Sequence, residues 1–187
     1  LTELQTVTIE KCPDLNFSII FSWLTTLPKL KELYLSNCKL KEIPGTIGEL
    51  TNLEVLSFAG DYNSTEVNTL ETLPPEIGKL KNLKSLCLDG LHKTLKFLPI
   101  EVANLENLNS LTLRSSRLPL NLDLIPNLTE LDLTEAYYSY DQLKALLNKQ
   151  KTLRLIKVRE DQVPRELQSI FLDLEFEIET LPIDGYY

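Results

Sequence analysis

Residues 30–53 read LKELYLSNCKLKEIPGTIGELTNL. Apolar residues fall at Leu30, Leu33, Leu35, Leu40, Ile43, Ile47 and Leu50, with Cys38 inside the run, and Leu53 restarts the spacing 23 residues after Leu30. A recurrence at roughly 20–50 residues marks a repeat architecture, so it takes precedence over any local reading. The stretch from Leu33 to Leu35 alternates, which puts Leu30, Leu33 and Leu35 on the inner side of a short strand and Glu32 and Tyr34 on the outer side. One such strand cannot bury its inner side alone. Copies must stack, with parallel strands at about 4.8 Å spacing on one face and bulkier return segments on the other. The width mismatch predicts a curved α/β solenoid with the sheet on its concave face.

Laid along the chain, the unit gives about seven copies, starting at Leu4, Leu30, Leu53, Leu83, Leu108, Leu128 and Leu153. Leu1-Thr2-Glu3-Leu4 matches Leu50-Thr51-Asn52-Leu53, so the expectation is a single repeat domain over 1–187 whose start falls inside a repeat. The third copy carries about seven extra residues, and its polar stretch Asp61–Thr69 (DYNSTEVNT) is expected to project as a loop. The fifth copy is short, because Leu128 follows Leu108 by 20 residues. Helical spacing predicts a short helix over Phe17–Leu27 and a second over Tyr140–Lys149, opened by Ser139 and Gln142 in a capping box. Pro164 suggests a last short helix over Arg165–Phe171, and Leu174–Ile178 alternates like a terminal edge strand.

The tail Leu40-Lys-Glu-Ile43-Pro44-Gly-Thr-Ile47-Gly-Glu-Leu50 recurs at Leu70–Leu80 and Leu95–Leu105. With the L-x-x-L-x-L start, this resembles leucine-rich repeat proteins whose repeats continue L-x-x-[IL]-P-x-x-[IV]-x-x-L. Bacterial, Ras-group and disease-resistance repeats are of that kind. The resemblance implies a non-enzymatic protein-interaction module that binds a protein or peptide across the concave face. Alternatively, it implies the ligand-sensing or scaffold part of a larger signalling or immune-type receptor. In the family an Asn or Cys bonds the backbone at the bend after each strand. The residues at that place here are Cys12, Cys38, Asp61, Leu91, Ser116, Ala136 and Asp161. Leu91 and Ala136 cannot make the bond, so an irregular ladder is expected beyond the fourth copy.

The third, fifth, seventh and eighth residues of each copy are expected to face outward. On that face Tyr34, Ser57, Cys87, Asp89, Thr112, Arg114, Glu130, Asp132, Lys157 and Arg159 are the candidate partner-binding residues, joined by Tyr62 and Asn63 of the insertion. They describe a shallow central groove of small residues with Tyr34 on one side and charges on the other, and aromatic and arginine side chains are common interface anchors. The plainer alternative is a solvated face with charges paired between strands, such as Asp132 with Lys157. Tyr138 takes a core position, which leaves Tyr137 and Tyr140 for the surface.

Composition narrows the partner. The formal net charge is -8 and the pI about 4.8, which disfavours nucleic-acid binding and docking on an anionic membrane. No apolar run approaches the roughly 18 residues of a membrane span. The chain has one histidine, His92, outside the strands, which leaves little for a catalytic triad or a zinc enzyme, so no cofactor or metal is expected. An enzyme using Asp89, Glu130 and Asp132 is the remaining alternative. Cys12 and Cys38 fall at equivalent places as buried thiols, and Cys87 faces outward. Three unpaired cysteines point to a reducing compartment, although a secreted or surface-attached bacterial protein would look the same. Asn16, Asn63 and Asn127 stand in N-glycosylation patterns, of which only Asn63 lies in a clearly exposed loop.

Overall fold

The structure is a computed structural model that describes residues 1–60, 64–91, 95–159 and 178–179. Strands β1 (Thr6–Glu10), β2 (Glu32–Ser36), β3 (Val55–Ser57), β4 (Ser85–Cys87), β5 (Ser110–Thr112), β6 (Glu130–Asp132), β7 (Leu155–Arg159) and β8 (Ile178–Glu179) form one sheet in chain order. Every neighbouring pair is parallel, so the connections from β1 through to β7 return across the back of the sheet before the next strand begins. Val7, Leu33, Leu56, Leu86, Leu111, Leu131 and Ile156 lie in one line across β1–β7. These are the fourth residues of the seven repeats, so the spacing read from sequence is the register of the sheet.

The inner side is a single buried core running the length of the stack, with Leu33, Leu56, Leu86 and Leu111 fully enclosed. Burying one such leucine contributes about 2 kcal/mol. An exposed ion pair such as Lys84 with Glu54 is screened by solvent and contributes far less, so the leucines set the register. Pro44, Pro74 and Pro99 hold φ near -60°, -68° and -61° and start the 3-10 segments Gly45–Glu49, Pro75–Lys79 and Ile100–Asn104 on the back. These segments pack closely. A Cβ on Gly48 would lie 2.8 Å from the Glu76 backbone oxygen, and one on Gly78 would lie 2.5 Å from that of Glu101. The next residue in this series is Ala103, which is exposed, because the short fifth repeat brings no counterpart of Glu101 against it.

Helix α1 (Phe17–Leu24) is capped by Asn16, whose Oδ1 accepts from Ile19 N, and it buries Phe21 and Leu24. It stops three residues short of the predicted Leu27. Thr25 and Thr26 turn their hydroxyls onto the carbonyls of Ser22 and Trp23, and Pro28 follows. Helix α2 (Tyr140–Lys149) has the predicted bounds and the full capping box. Of the predicted terminal strand, Ile178 is in β8 and pairs with Val158; residues 174–177 and the predicted helix Arg165–Phe171 lie outside the described residues.

The expected irregularity beyond the fourth repeat is not found. Strands β4 to β7 keep the register of the earlier ones. Leu91 and Ala136 are simply buried; a side chain from the next repeat bonds the backbone around Leu91, and Ala136 N donates to Leu133 O within its own bend. Ser116 Oγ donates to Leu88 O and accepts from Leu91 N. Asn121 brackets Leu98 through both its amide atoms, and Gln150 Nε2 donates to Ile125 O at 2.6 Å.

The insertion also departs from its reading as a purely projecting loop. Its end runs back along the second repeat, where Lys39 N donates to Glu66 O and Thr69 N to Leu40 O. Asn68 is 2% exposed and makes four hydrogen bonds. Its Oδ1 accepts from Cys38 N and Leu40 N, and its Nδ2 donates to Leu35 O and Phe58 O. A second ladder runs at the repeat junctions. Asn52, Asn82, Asn107 and Asn127, each just before a repeat-starting leucine, donate to Pro28 O, Thr51 O, Lys81 O and Glu106 O. The Asn16 and Asn127 side chains of the glycosylation patterns are thus engaged in the fold.

Candidate functional site: the open face of the sheet

The outward residues of β1–β7 stand in rows that cross the strands, as alternation along each strand requires. The fifth-position row contains Tyr34, Ser57, Cys87, Thr112, Asp132 and Lys157 in register. The chain leaves the sheet at the eighth position. Lys11, Asn37, Ser115 and Glu135 have φ between 51° and 58° there, and Gly90 has φ 73°. These residues make the bend, and Asn37 and Ser115 are buried in it, so the eighth position is a turn as much as a surface.

The candidate residues differ in how far they reach solvent. Ser57 and Asp132 are only 5% and 6% exposed. Ser57 Oγ accepts from Ala59 N, and Asp132 Oδ1 accepts from Thr134 N. Asp132 Oδ2 also takes both the Nε and Nη2 of Arg114, at 2.7 Å each. Asp132 is aligned with Lys157 in the register and carries this ion pair on its other side. The Arg114 side chain stays half exposed above its buried carboxylate, so the surface presents the guanidinium. Arg159 Nη1 approaches Glu135 at 3.8 Å.

On the opposite side, Glu32 Oε2 accepts from Thr6 Oγ1 and from the Tyr34 hydroxyl, which fixes the ring. Burial and then the Glu32 charge raise the Tyr34 hydroxyl pKa above its usual value. In the middle, Thr112 Oγ1 donates to Cys87 Sγ at 2.9 Å. Burial and the nearby Asp89 push the Cys87 thiol up, so it is held protonated rather than activated. Asp89 Oδ1 accepts from Arg114 N, and burial raises its pKa with a smaller contribution from Asp132. Ser110, Leu111, Thr112, Arg114, Glu130, Leu131, Asp132, Leu155 and Lys157 surround a depression of about 190 Å³ over β5–β7. Five of the predicted residues therefore share one hollow, while Tyr34 and Ser57 stand on strands further along. Tyr62 and Asn63 lie outside the described residues.

The remaining sequence-level candidates are placed simply. Tyr138 packs on the core, Tyr137 is exposed, and Tyr140 is partly buried under Lys144 Nζ, 5.5 Å from its ring centre. Cys12, Cys38 and Cys87 are free thiols, with Cys38 buried. Among the described residues no helix is long and apolar enough to cross a membrane.

Comparison with known proteins agrees with this geometry. The family described as "Leucine Rich repeats (2 copies)" matches residues 28–72. The LRR protein LIC12759 of Leptospira interrogans superimposes with a TM-score of 0.65 at 29% identity, over 95% of this chain and 43% of that one. The chain is a leucine-rich repeat protein. An internalin (inlF) of Listeria monocytogenes shares the fold alone, with a TM-score of 0.56 at 18% identity over 83% of this chain and 48% of its own. The disease resistance protein RPS4B of Arabidopsis thaliana is 32% identical over 94 residues, and the disease resistance-like protein DSC1 of the same plant is 39% identical over 56. Those segments are 50% and 30% of this chain but span only 7% and 4% of the plant proteins. Leucine-rich repeat proteins generally mediate protein–protein interaction, and their repeats are typically not enzymatic.

Proposed function

We propose that this chain is a binding module that takes a protein or peptide partner through the open face of its sheet and through the 61–69 insertion. The observation that carries the reading is Arg114. Its guanidinium is held by two hydrogen bonds to a buried carboxylate at the edge of a hollow, half exposed and already ordered. An anchor fixed before binding loses little side-chain entropy when a partner arrives. Tyr34, tied to Glu32, is a second fixed anchor.

The test is selection of peptides from a random display library on the immobilised chain, followed by affinity measurement on variants. Reversing charge at Arg114 and Arg159 together should weaken the selected peptides by tenfold or more, and Tyr34→Ala by several-fold. Affinities indifferent to all three substitutions would place the partner elsewhere.

A second reading follows from the plant matches: the chain serves as the ligand-sensing or scaffold part of a larger signalling or immune-type receptor. Recovery of the complete coding sequence tests it. A signalling domain in the same reading frame supports it, and an open reading frame of repeats alone counts against it.

A further inference from the structure

Two of the three thiols share one register position. Glu10 is paired with Ser36 at the ends of β1 and β2, and Lys11 N donates to Ser36 O just beyond them. Lys11 and Asn37 then take the same bend, with φ 53° and 54°. Equal bends keep the two chains side by side for one more residue. Cys12 is thereby set beside Cys38, one strand spacing of about 4.8 Å away. A disulfide spans Cα separations of about 4.4–6.8 Å, which includes that spacing. Past the cysteines the chains part, because Lys39 has φ 53° and the ring of its counterpart Pro13 excludes such a value.

The two sulfurs differ in access. Cys38 is 1% exposed, and its Sγ is turned towards the first repeat, donating to Ile9 O at 3.5 Å and to Ser36 O at 3.3 Å. Burial is the largest influence on this thiol and raises its pKa, while the Cys12 N–H favours the thiolate, an effect that requires the sulfur to lie against Cys12. Cys12 is partly exposed, and its Sγ donates to Glu10 O at 3.2 Å within its own bend. A thiol is a weak donor, so rotation of the Cys12 side chain exchanges that bond for contact with Cys38 at little cost. A disulfide draws the Cβ atoms to about 3.8 Å, a little less than the strand spacing. Strand β1 has a neighbour on one side only among the described residues, so its bend has room to close the difference. Cys87 is the contrast: its register neighbours are Ser57 and Thr112, and no second thiol stands beside it.

We propose that Cys12 and Cys38 are a modification site, where a low-molecular-weight disulfide oxidises the pair to a reversible bond that fastens the first repeat to the second. The Cys12 thiolate attacks one sulfur of the oxidant, forms a mixed disulfide and releases one small thiolate, which takes up a proton. The Cys38 thiol loses its proton to solvent and attacks the Cys12 sulfur, which forms the internal bond and expels the second small thiolate. Two protein thiols are oxidised, and one external disulfide is reduced to two thiols. Cys12 reacts first because the Cys38 sulfur is enclosed. Asn68 Oδ1 already holds Cys38 N, so the crosslink joins the first repeat, the second repeat and the returning end of the insertion.

The experiment exposes the whole chain to glutathione disulfide at pH 8, quenches with an alkylating reagent and maps the peptides by mass spectrometry. A Cys12–Cys38 linked peptide should dominate, Cys87 should carry at most a glutathione adduct, and dithiothreitol should restore all three thiols. Cys38→Ser should trap glutathione on Cys12, raising that adduct at least tenfold over the parent, and Cys12→Ser should leave Cys38 a free thiol. A parent chain in which Cys38 stays free, whether Cys12 is unmodified or carries glutathione, overturns the inference. So does a Cys12–Cys38 peptide no more abundant than a Cys12–Cys87 one. Both results are read on the parent chain, so they stand even where a serine variant fails to fold.

Discussion

Replacing Asn68 with alanine should be among the most damaging single changes outside the leucines. The side chain is enclosed, and its four hydrogen bonds go to Cys38 N, Leu40 N, Leu35 O and Phe58 O at 3.1, 3.0, 2.7 and 3.1 Å. Those four residues are buried as well, so water does not readily replace the amide. At about 1 kcal/mol net for each bond, the loss is about 4 kcal/mol, well above the typical point substitution. Asn68→Asp separates the two halves of the bracket. A carboxylate keeps the acceptor for Cys38 N and Leu40 N but sets an oxygen against Leu35 O and Phe58 O. Enclosure raises the pKa of such a carboxyl in the folded state above its unfolded value of about 4. The unfolded chain then releases the proton first, so the variant should gain stability as pH falls from 7 towards 5. Urea unfolding of the two variants and the parent at pH 7 and pH 5 gives all of these values. A loss below about 1 kcal/mol for Asn68→Ala would refute the bracket as the link between the insertion and the sheet.

Two further outcomes follow from the packing and the charges. Gly78→Ala should destabilise by about 1–3 kcal/mol in urea unfolding, because its Cβ would press on the Glu101 backbone at 2.5 Å, whereas Ala103→Gly at the exposed successor position should cost less than about 1 kcal/mol. Hydrogen bonds from Lys31 and Lys84 hold Glu54 down to a pKa of about 2. A depressed carboxyl stabilises the fold above its unfolded pKa of about 4.3, and that contribution disappears as pH falls to about 2. A carboxyl NMR titration should therefore place Glu54 near 2, and Lys84→Ala should move it upward.

The leucine period alone carried the strands, their order and their register, because each inward leucine meets its equivalent in the next repeat. The capping box at Ser139 and Gln142 was equally plain, being local in the chain. The polar ladders were harder to see. Ser116, Gln150 and, apart from its bond to Phe58, Asn68 bond residues 25 or more positions away, and only Ser116 stands at the repeat's own polar site. One signal was present and passed over: the Asn-Leu pair at four repeat junctions, where the asparagine ties each repeat to the one before. For the open face, alternation identified which residues face outward. It could not show that Arg114 folds over Asp132, since that depends on side chains from two repeats meeting at 2.7 Å.

The glycines on the back of the solenoid also limit how such a chain can lengthen. Gly78 accepts a following repeat that presents a residue in the place of Glu101, and Glu76 stands at that same place in its own repeat. A tandem duplication of residues 53–82 would therefore fit against itself. A duplication of residues 83–107 would set a second Glu101 against the methyl group of Ala103. Growth by copying is open at the third repeat and closed at the fourth, and a single methyl group makes the difference.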